Sequence, residues 1–254
     1  MSKPDNHLSS SVTTSNATFK QIIPNEASSK DYFINRQKIK PRQTPLNSTT
    51  DYLTSEPTGG TILKELGELR HLADRTRPDL QAATSLLARN AQTPSDNSKH
   101  GCHQIKRYLS TDPSKGITYR SSASKEILLW GMCDASCLTH GDSKSQLGFA
   151  LWLNLESGIV IARSQRDSTV SHSATEAEIK AIDAAIKEIQ WFRGFLKEIG
   201  YEQTQPTQLM TDNKSAIILS EKFQLGRKSG HLTMMLNYIH QTIVDKEIQL
   251  SFID

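Results

Sequence analysis

Asp134, Glu178 and Asp212 are the residues whose type and placement could do chemistry. Asp134 ends an apolar run that begins at Ile127. Glu178 falls in the first turn of a long amphipathic helix. Asp212 ends the run that follows Pro206. Strand ends and helix starts in an α/β sheet converge at one edge, where sites form. Carboxylates gathered there repel one another in a low dielectric and need a cation. Mg²⁺ suits them, as a hard ion taking oxygen ligands at about 2.0–2.1 Å. Two such ions about 3.5–4 Å apart activate a water and steady a leaving oxygen in phosphodiester cleavage. Spacing alone also fits ordinary caps and surface acids, because 27 acidic residues offer many chance trios.

The elements that must position these acids follow from hydrophobic periodicity. Ile127 to Cys133, Gly148 to Leu155 and Gly158 to Ala162 read as three strands of an antiparallel meander, with a short strand before them at Ile117 to Tyr119. Glu176 to Leu196 is helical, with Ile179, Ile182, Ile186, Ile189, Phe192 and Leu196 on its apolar side. Thr175 is placed to cap it, with Glu178 three residues on completing a capping box, and Gly200 to stop it. A strand at Thr207 to Thr211, a helix from Asp212-Asn213 to Leu219, a helix from His231 to Val244 and a strand at Ile248 to Ile253 complete the order β-β-β-α-β-α-α-β. That order predicts a mixed α/β sheet layered with helices.

Upstream, the first 30 residues are rich in Ser, Thr and Asn and poor in large apolar groups, which predicts disorder. Residues 31–61 stay polar and are broken by Pro41, Pro45 and Pro57. Helices are expected over Ile62 to Leu72, then after Arg77-Pro78-Asp79 with Leu80, Ala83, Leu86 and Leu87 on one face, and over Ser98 to Leu109. The hydrophobic share is 36%, net charge +3, a mild excess that permits nucleic-acid binding without requiring it. Cys102, Cys133 and Cys137 make no disulfide framework. Cys133 and Cys137 have a ligand-like gap but no second Cys/His pair beside them. No apolar run approaches the ~20 residues of a membrane span, and no leader-like segment opens the chain. The expectation is a soluble, intracellular protein that is not secreted.

Several motifs resemble one family. Trp130-Gly-Met-Cys-Asp134-Ala-Ser resembles an opening strand that ends in Asp-Ala-Asp. Lys144-Ser-Gln-Leu-Gly148-Phe resembles Lys-Ser-Thr-Ser-Gly-Tyr. Ser164 to Glu178, SQRDSTVSHSATEAE, is similar to SKKQSTVALSSTEAE. Thr211-Asp212-Asn213-Lys-Ser-Ala-Ile resembles Cys-Asp-Asn-Gln-Ser-Ala-Ile, and Trp191-Phe-Arg-Gly-Phe-Leu and Gly230-His231-Leu fall in the matching order and spacing. These are the motifs of the ribonuclease H domain of copia-type retrotransposon Pol polyproteins. Upstream, Thr76-Arg77-Pro78-Asp79 and Arg107-Tyr108-Leu109 resemble the end of the same family's reverse transcriptase.

The resemblance implies three segments: a tail at 1–30, the C-terminal thumb or connection part of a reverse transcriptase at 31–120, and a ribonuclease H-like mixed sheet with flanking helices at 126–254. It implies Asp134, Glu178 and Asp212 as catalytic, metal-binding carboxylates for two Mg²⁺ ions, with an RNA–DNA hybrid as substrate and other Pol segments as partners. Glu178 is preferred to Glu176 because Glu178-x-x-Ala181 carries the register of the family's catalytic Glu. Arg163, Arg166, Lys106 and Arg107 become candidate phosphate contacts, and Asn213 a candidate contact to a ribose hydroxyl. A solvated helix face explains the basic stretch Lys99 to Lys125 equally well, and His231 reads as a packed helix residue. Two departures bear on activity. Ser136 stands where the family has the second Asp of Asp-Ala-Asp, and the helix carrying the family's fourth carboxylate would follow Asp254, so one ion is expected to be weakly held or absent. The polymerase motif Tyr-x-Asp-Asp is not in the sequence. A nuclease, an inactive transposon remnant that binds nucleic acid, and a host-adopted interaction module are therefore all compatible with the motifs.

Overall fold

The computed structural model describes residues 43–47, 52, 53, 55–120, 127–137, 144–154, 157–222 and 230–253, with the side chains of 230 and 231 excepted. The expected tail at 1–30 and Asp254 lie outside these residues, as does the His231 side chain. The chain divides between Ile117 and Thr118 into two compact units.

Among the described residues the first unit holds three α-helices: α1 (Leu63–Arg75), α2 (Gln81–Ala88) and α3 (Asp96–Thr111). Their apolar stripes meet in a core of Leu66, Leu69, Leu72, Leu80, Leu87, Ile105 and Leu109. Arg77-Pro78-Asp79 does not cap α2 through a side chain. Pro78–Leu80 instead forms a single 3₁₀ turn leading into it. The Arg77 guanidinium is 4% exposed, pairs with Asp79 at 2.8 Å and lies over the Tyr108 ring. Tyr108 donates its hydroxyl to the same Asp79 carboxylate at 2.6 Å. The Arg-Pro-Asp and Arg-Tyr-Leu motifs are thus two halves of one buried polar lock.

The second unit is a mixed sheet of five strands with helices: β1 (Leu129–Ser136), β2 (Gln146–Leu153), β3 (Ile159–Arg166), α4 (Ala174–Glu198), β4 (Thr207–Thr211), α5 (Lys214–Glu221), α6 (Gly230–Val244) and β5 (Ile248–Phe252). The strand order is β3-β2-β1-β4-β5. β1, β2 and β3 pair antiparallel as a meander, while β4 runs parallel to β1 and β5 parallel to β4. This is the mixed α/β sheet with flanking helices that the order of elements predicts. Alternate residues of each strand point to opposite faces. Leu129, Cys133, Phe149, Leu151, Leu209 and Leu250 face the helices and share one core with Ile182, Ile186, Ile189, Leu236 and Ile239.

Several boundaries differ from the sequence reading. Ile117 to Tyr119 is not a strand, since among the described residues it has no ladder partner; Tyr119 donates its hydroxyl to the Ile159 carbonyl. β1 runs on to Ser136, so Asp134 lies within the strand rather than at its end. α4 starts two residues earlier than expected. Ser173, not Thr175, is its N-cap, accepting from the Glu176 amide at 3.1 Å, and Glu176 in turn accepts from the His172 amide at 3.0 Å. Gly200 ends the helix as expected, with φ at 90°, a conformation open to glycine without steric cost.

Gly131 is a tight point in the layer between the sheet and α4, where an added Cβ would lie 3.4 Å from Ile189 Cδ1. The same Cβ would stand 3.0 Å from Leu151 Cδ2 and 3.1 Å from Leu209 Cδ1, in a layer where both leucines are fully buried. Gly131→Ala is expected to cost ~1–3 kcal/mol by overpacking, read as a drop in Tm of about 3–10 °C.

Candidate metal centre

The two-residue shift of the cap decides what Glu178 does. Glu176 closes the helix start and also lies 3.2 Å from the Lys180 ammonium, which leaves Glu178 to turn toward the sheet. There its Oε1 accepts the Ala135 amide at 3.2 Å. Asp134 projects from β1 and Asp212 from the residue after β4. The parallel register Trp130↔Gln208 and Met132↔Met210, carried two residues on, brings the two aspartates side by side. Asn213 anchors the turn: its Oδ1 caps α5 by accepting the Ala216 amide at 2.9 Å. Asp134, Glu178 and Asp212 each present a carboxylate oxygen within 4.8 Å of the others, Glu178 buried and both aspartates exposed.

The electrostatics of the cluster follow from that crowding. Burial first, then the Asp134 charge, raises Glu178 to about 7, with Asp212 adding and the Ala135 amide opposing. Its Oε2 is buried and has no hydrogen-bond partner. A buried carboxylate oxygen without a donor, beside two further carboxylates, fits a hard cation bound by oxygen. Cys133, on the neighbouring inner position of β1, is pushed far above the usual thiol range by burial and then by Glu178. It stays a neutral core side chain, and among the described residues no group of cysteines and histidines forms a metal site.

Glu178 ionises near 4.5 in the unfolded chain and near 7 in the fold. Without metal, its contribution to stability is therefore complete below the unfolded value and is lost as pH rises through about 7. Glu178→Gln removes this penalty. At about pH 8 the metal-free variant is expected to be more stable than the parent by ~1–3 kcal/mol, with the difference gone near pH 4. Millimolar Mg²⁺ should raise the parent's Tm and leave the variant's unchanged.

The candidate phosphate contacts do not gather at the triad. Arg163 and Arg166 lie on β3 and line a cavity of about 590 Å³ beside α4, walled by Phe149 and Met235, to which none of the three acids contributes. Arg163 is 3.8 Å from Glu188. Lys106 pairs with Glu65 at 2.5 Å within the first unit, and Arg107 buries its Nε there. Lys99 and Lys115 of the same basic stretch bond to Thr58 and Tyr108, so much of that stretch is engaged internally.

Sequence reasoning missed the group that holds the helix start. Lys180 is 5% exposed, and its ammonium donates to Asp167 at 2.9 Å, Thr169 at 2.9 Å and Ser171 at 3.0 Å. Burial pushes the Asp167 carboxyl up, but the Lys180 ammonium and the Thr169 and Ser171 donors outweigh it and hold the group below its ordinary value. The signal was present: Asp167 stands where the family pattern reads Gln, and Lys180 interrupts the apolar run Ile179 to Ile182.

A mixed α/β sheet that gathers an aspartate of β1, the aspartate after the parallel strand β4 and a glutamate from the start of α4 is the class of structure that the ribonuclease H resemblance implies. No family model matches the chain. It is 26% identical over 216 residues to the retrovirus-related Pol polyprotein from transposon RE2 of Arabidopsis thaliana, covering 82% of this chain and 14% of that protein. It is 26% identical over 186 residues to the Pol polyprotein from transposon TNT 1-94 of Nicotiana tabacum, covering 73% and 14%. To the secreted RxLR effector protein 161 of Plasmopara viticola it is 30% identical over 130 residues, covering 51% of this chain and 89% of that one. The chain is similar to retrovirus-related Pol polyproteins from transposons over most of its own length, and it spans only 14% of the length of the two plant polyproteins. Among solved structures, the compost-derived LC11-RNase H1 has a TM-score of 0.37 at 12% identity, covering 50% of this chain and 82% of that chain. The foamy viral protease-reverse transcriptase with double-stranded DNA has a TM-score of 0.46 at 11% identity, covering 80% and 33%.

Proposed function

We propose that the second unit is a ribonuclease H-type endonuclease that hydrolyses the RNA strand of an RNA–DNA hybrid with Mg²⁺, and that the first unit derives from the C-terminal part of a reverse transcriptase. One observation carries this reading: three carboxylates converge within 4.8 Å, and one of them keeps a buried oxygen without a donor. Asp134, Glu178 and Asp212 would hold the metal. When bound, Mg²⁺ supplies an activated water and neutralises charge on the phosphate. The chain's own part is positional. The Ala135 amide fixes Glu178, the parallel pairing of β1 and β4 sets the two aspartates side by side, and the Asn213 cap holds the turn between β4 and α5. The Asn213 amide is the group we assign to a ribose hydroxyl. Arg163 and Arg166 are assigned to backbone phosphates of the hybrid. Other segments of a Pol polyprotein are the protein partners this reading implies.

A second reading, a hybrid-binding remnant that does not cut, is favoured by Ser136 in place of an acid and by a cluster limited to three carboxylates among the described residues. Incubation of the chain with a hybrid labelled on its RNA strand and Mg²⁺ separates the two. Cleavage of the RNA strand alone is expected. A folded chain that shifts the hybrid in a binding assay and leaves both strands intact would establish the remnant instead.

A further inference from the structure

Residues 177–183 of α4 are all buried, and Lys180 stands among them between the fully buried Ile179 and Ala181. Stability alone does not account for a charge placed there, because a buried ion pair can often be replaced by apolar side chains without loss. What such a pair can add is a single defined arrangement. The partners of the Lys180 ammonium lie in one short stretch. Asp167 at 2.9 Å, Thr169 at 2.9 Å and Ser171 at 3.0 Å belong to the connection from β3 to α4, and Glu176 at 3.2 Å to the first turn of the helix. Ser171 also donates to Asp167 at 3.2 Å. The same connection is tied to the sheet. The Asp167 amide donates to the Ser145 carbonyl at 2.8 Å, and Lys144 donates to the Ser168 carbonyl. Ser145 leads into β2, whose opening residues Gln146, Leu147 and Gly148 pair with Ser136, Ala135 and Asp134 of β1. A continuous run of contacts therefore joins Lys180, through Asp167 and Ser145, to Asp134 and to the Ala135 amide that Glu178 meets at 3.2 Å.

We propose that Lys180, held by Asp167, is a positioning residue for the metal centre. It fixes the β3–α4 connection against the start of β2 and keeps Glu176 at the helix cap. Glu178 is thereby left to turn onto the Ala135 amide and stand beside Asp134. The metal part of this inference rests on the reading of Asp134, Glu178 and Asp212 as ligands; the placing of Glu178 does not. A group that orients a metal ligand from outside the ligand set is worth about 10–100-fold in metal affinity. Coupling through a packed polar network is tested by a substitution at one end and a probe at the other.

The substitution is Asp167→Asn with Lys180→Met, which leaves no charge stranded. In the full chain, isotope-labelled for amide NMR and free of metal, the Ala135 amide resonance of this variant is expected to move toward its position in Glu178→Ala. The amides of Leu209 and Leu250 should stay in place. Calorimetric titration with Mg²⁺ is expected to show binding weakened about 10–100-fold relative to the parent. Ser171→Ala cuts one arm of the network without isolating a charge, and it should move both readouts in the same direction if the double variant does not fold. Ile239→Val, an ordinary core loss on α6, should move neither. An unmoved Ala135 amide overturns the proposal, as does an equal displacement in Ile239→Val or a variant that binds Mg²⁺ as tightly as the parent. A parent that binds no Mg²⁺ removes the ligand reading of the three acids, and the Ala135 amide then decides the placing of Glu178 by itself.

Discussion

Asp134→Asn is expected to slow Mg²⁺-dependent cleavage of an RNA–DNA hybrid by about 10³-fold or more. The exchange keeps the side chain's size and its place in β1, two residues before the strand ends. What changes is the ligand: an anionic oxygen becomes a neutral amide, and the cluster of three acids loses the member that projects from the central strand. Mg²⁺ binds hard anionic oxygen far better than amide groups. The initial rate on a labelled hybrid at saturating Mg²⁺ measures the loss. Affinity for the hybrid without metal should hold or improve, because one negative charge near the phosphates is gone. Cleavage at the parent's rate would remove Asp134 from the chemistry.

Lys180→Met is expected to destabilise the chain by ~3–5 kcal/mol at neutral pH, because it strands the Asp167 carboxylate in a buried site with no cation. Both partners are at most 6% exposed, so solvent screens the pair little. The pH dependence has a definite sign. Asp167 is held below its ordinary value, so its stabilisation is present above the unfolded value of 3.8 and is lost as pH falls through the lower folded value. The gap between parent and variant should therefore close in acid. The double substitution Asp167→Asn with Lys180→Met should recover most of the loss, since an uncharged replacement of a buried pair is often neutral. Denaturant melts of the four chains supply the cycle. Independent, additive losses would mean that the two residues do not act as a pair.

The three acids of the site were legible because each sits in a short motif that keeps its residue types and order. The mixed sheet and the chain order of its elements were legible from short runs of β formers and one long helical period. What the sequence hid were features that depend on a neighbour. Ile117 to Tyr119 has strand composition, yet a strand exists only where a ladder partner is present. The sequence places the cap of α4 at Thr175 with Glu178, whereas the fold caps it at Ser173 with Glu176 and leaves Glu178 to meet the Ala135 amide of β1. Lys106 and Lys99 read as free cations until Glu65 and Thr58 come alongside them. The lysine at 180 reads as a break in an apolar stripe until Asp167 is brought under it.

The crossover between β1 and β4 governs the order in which this unit can assemble. The meander β1-β2-β3 closes through short local connections, whereas β1 meets β4 only after β2, β3 and the whole of α4 have been laid down. Closing that longer loop costs more entropy and delays the pairing. Until β4 arrives, one edge of β1 stays open to strands of other molecules. Because Asp212 sits at the end of β4, the chain has no assembled acid cluster before this slow closure, and recovery of Mg²⁺ binding during refolding will lag behind recovery of helix.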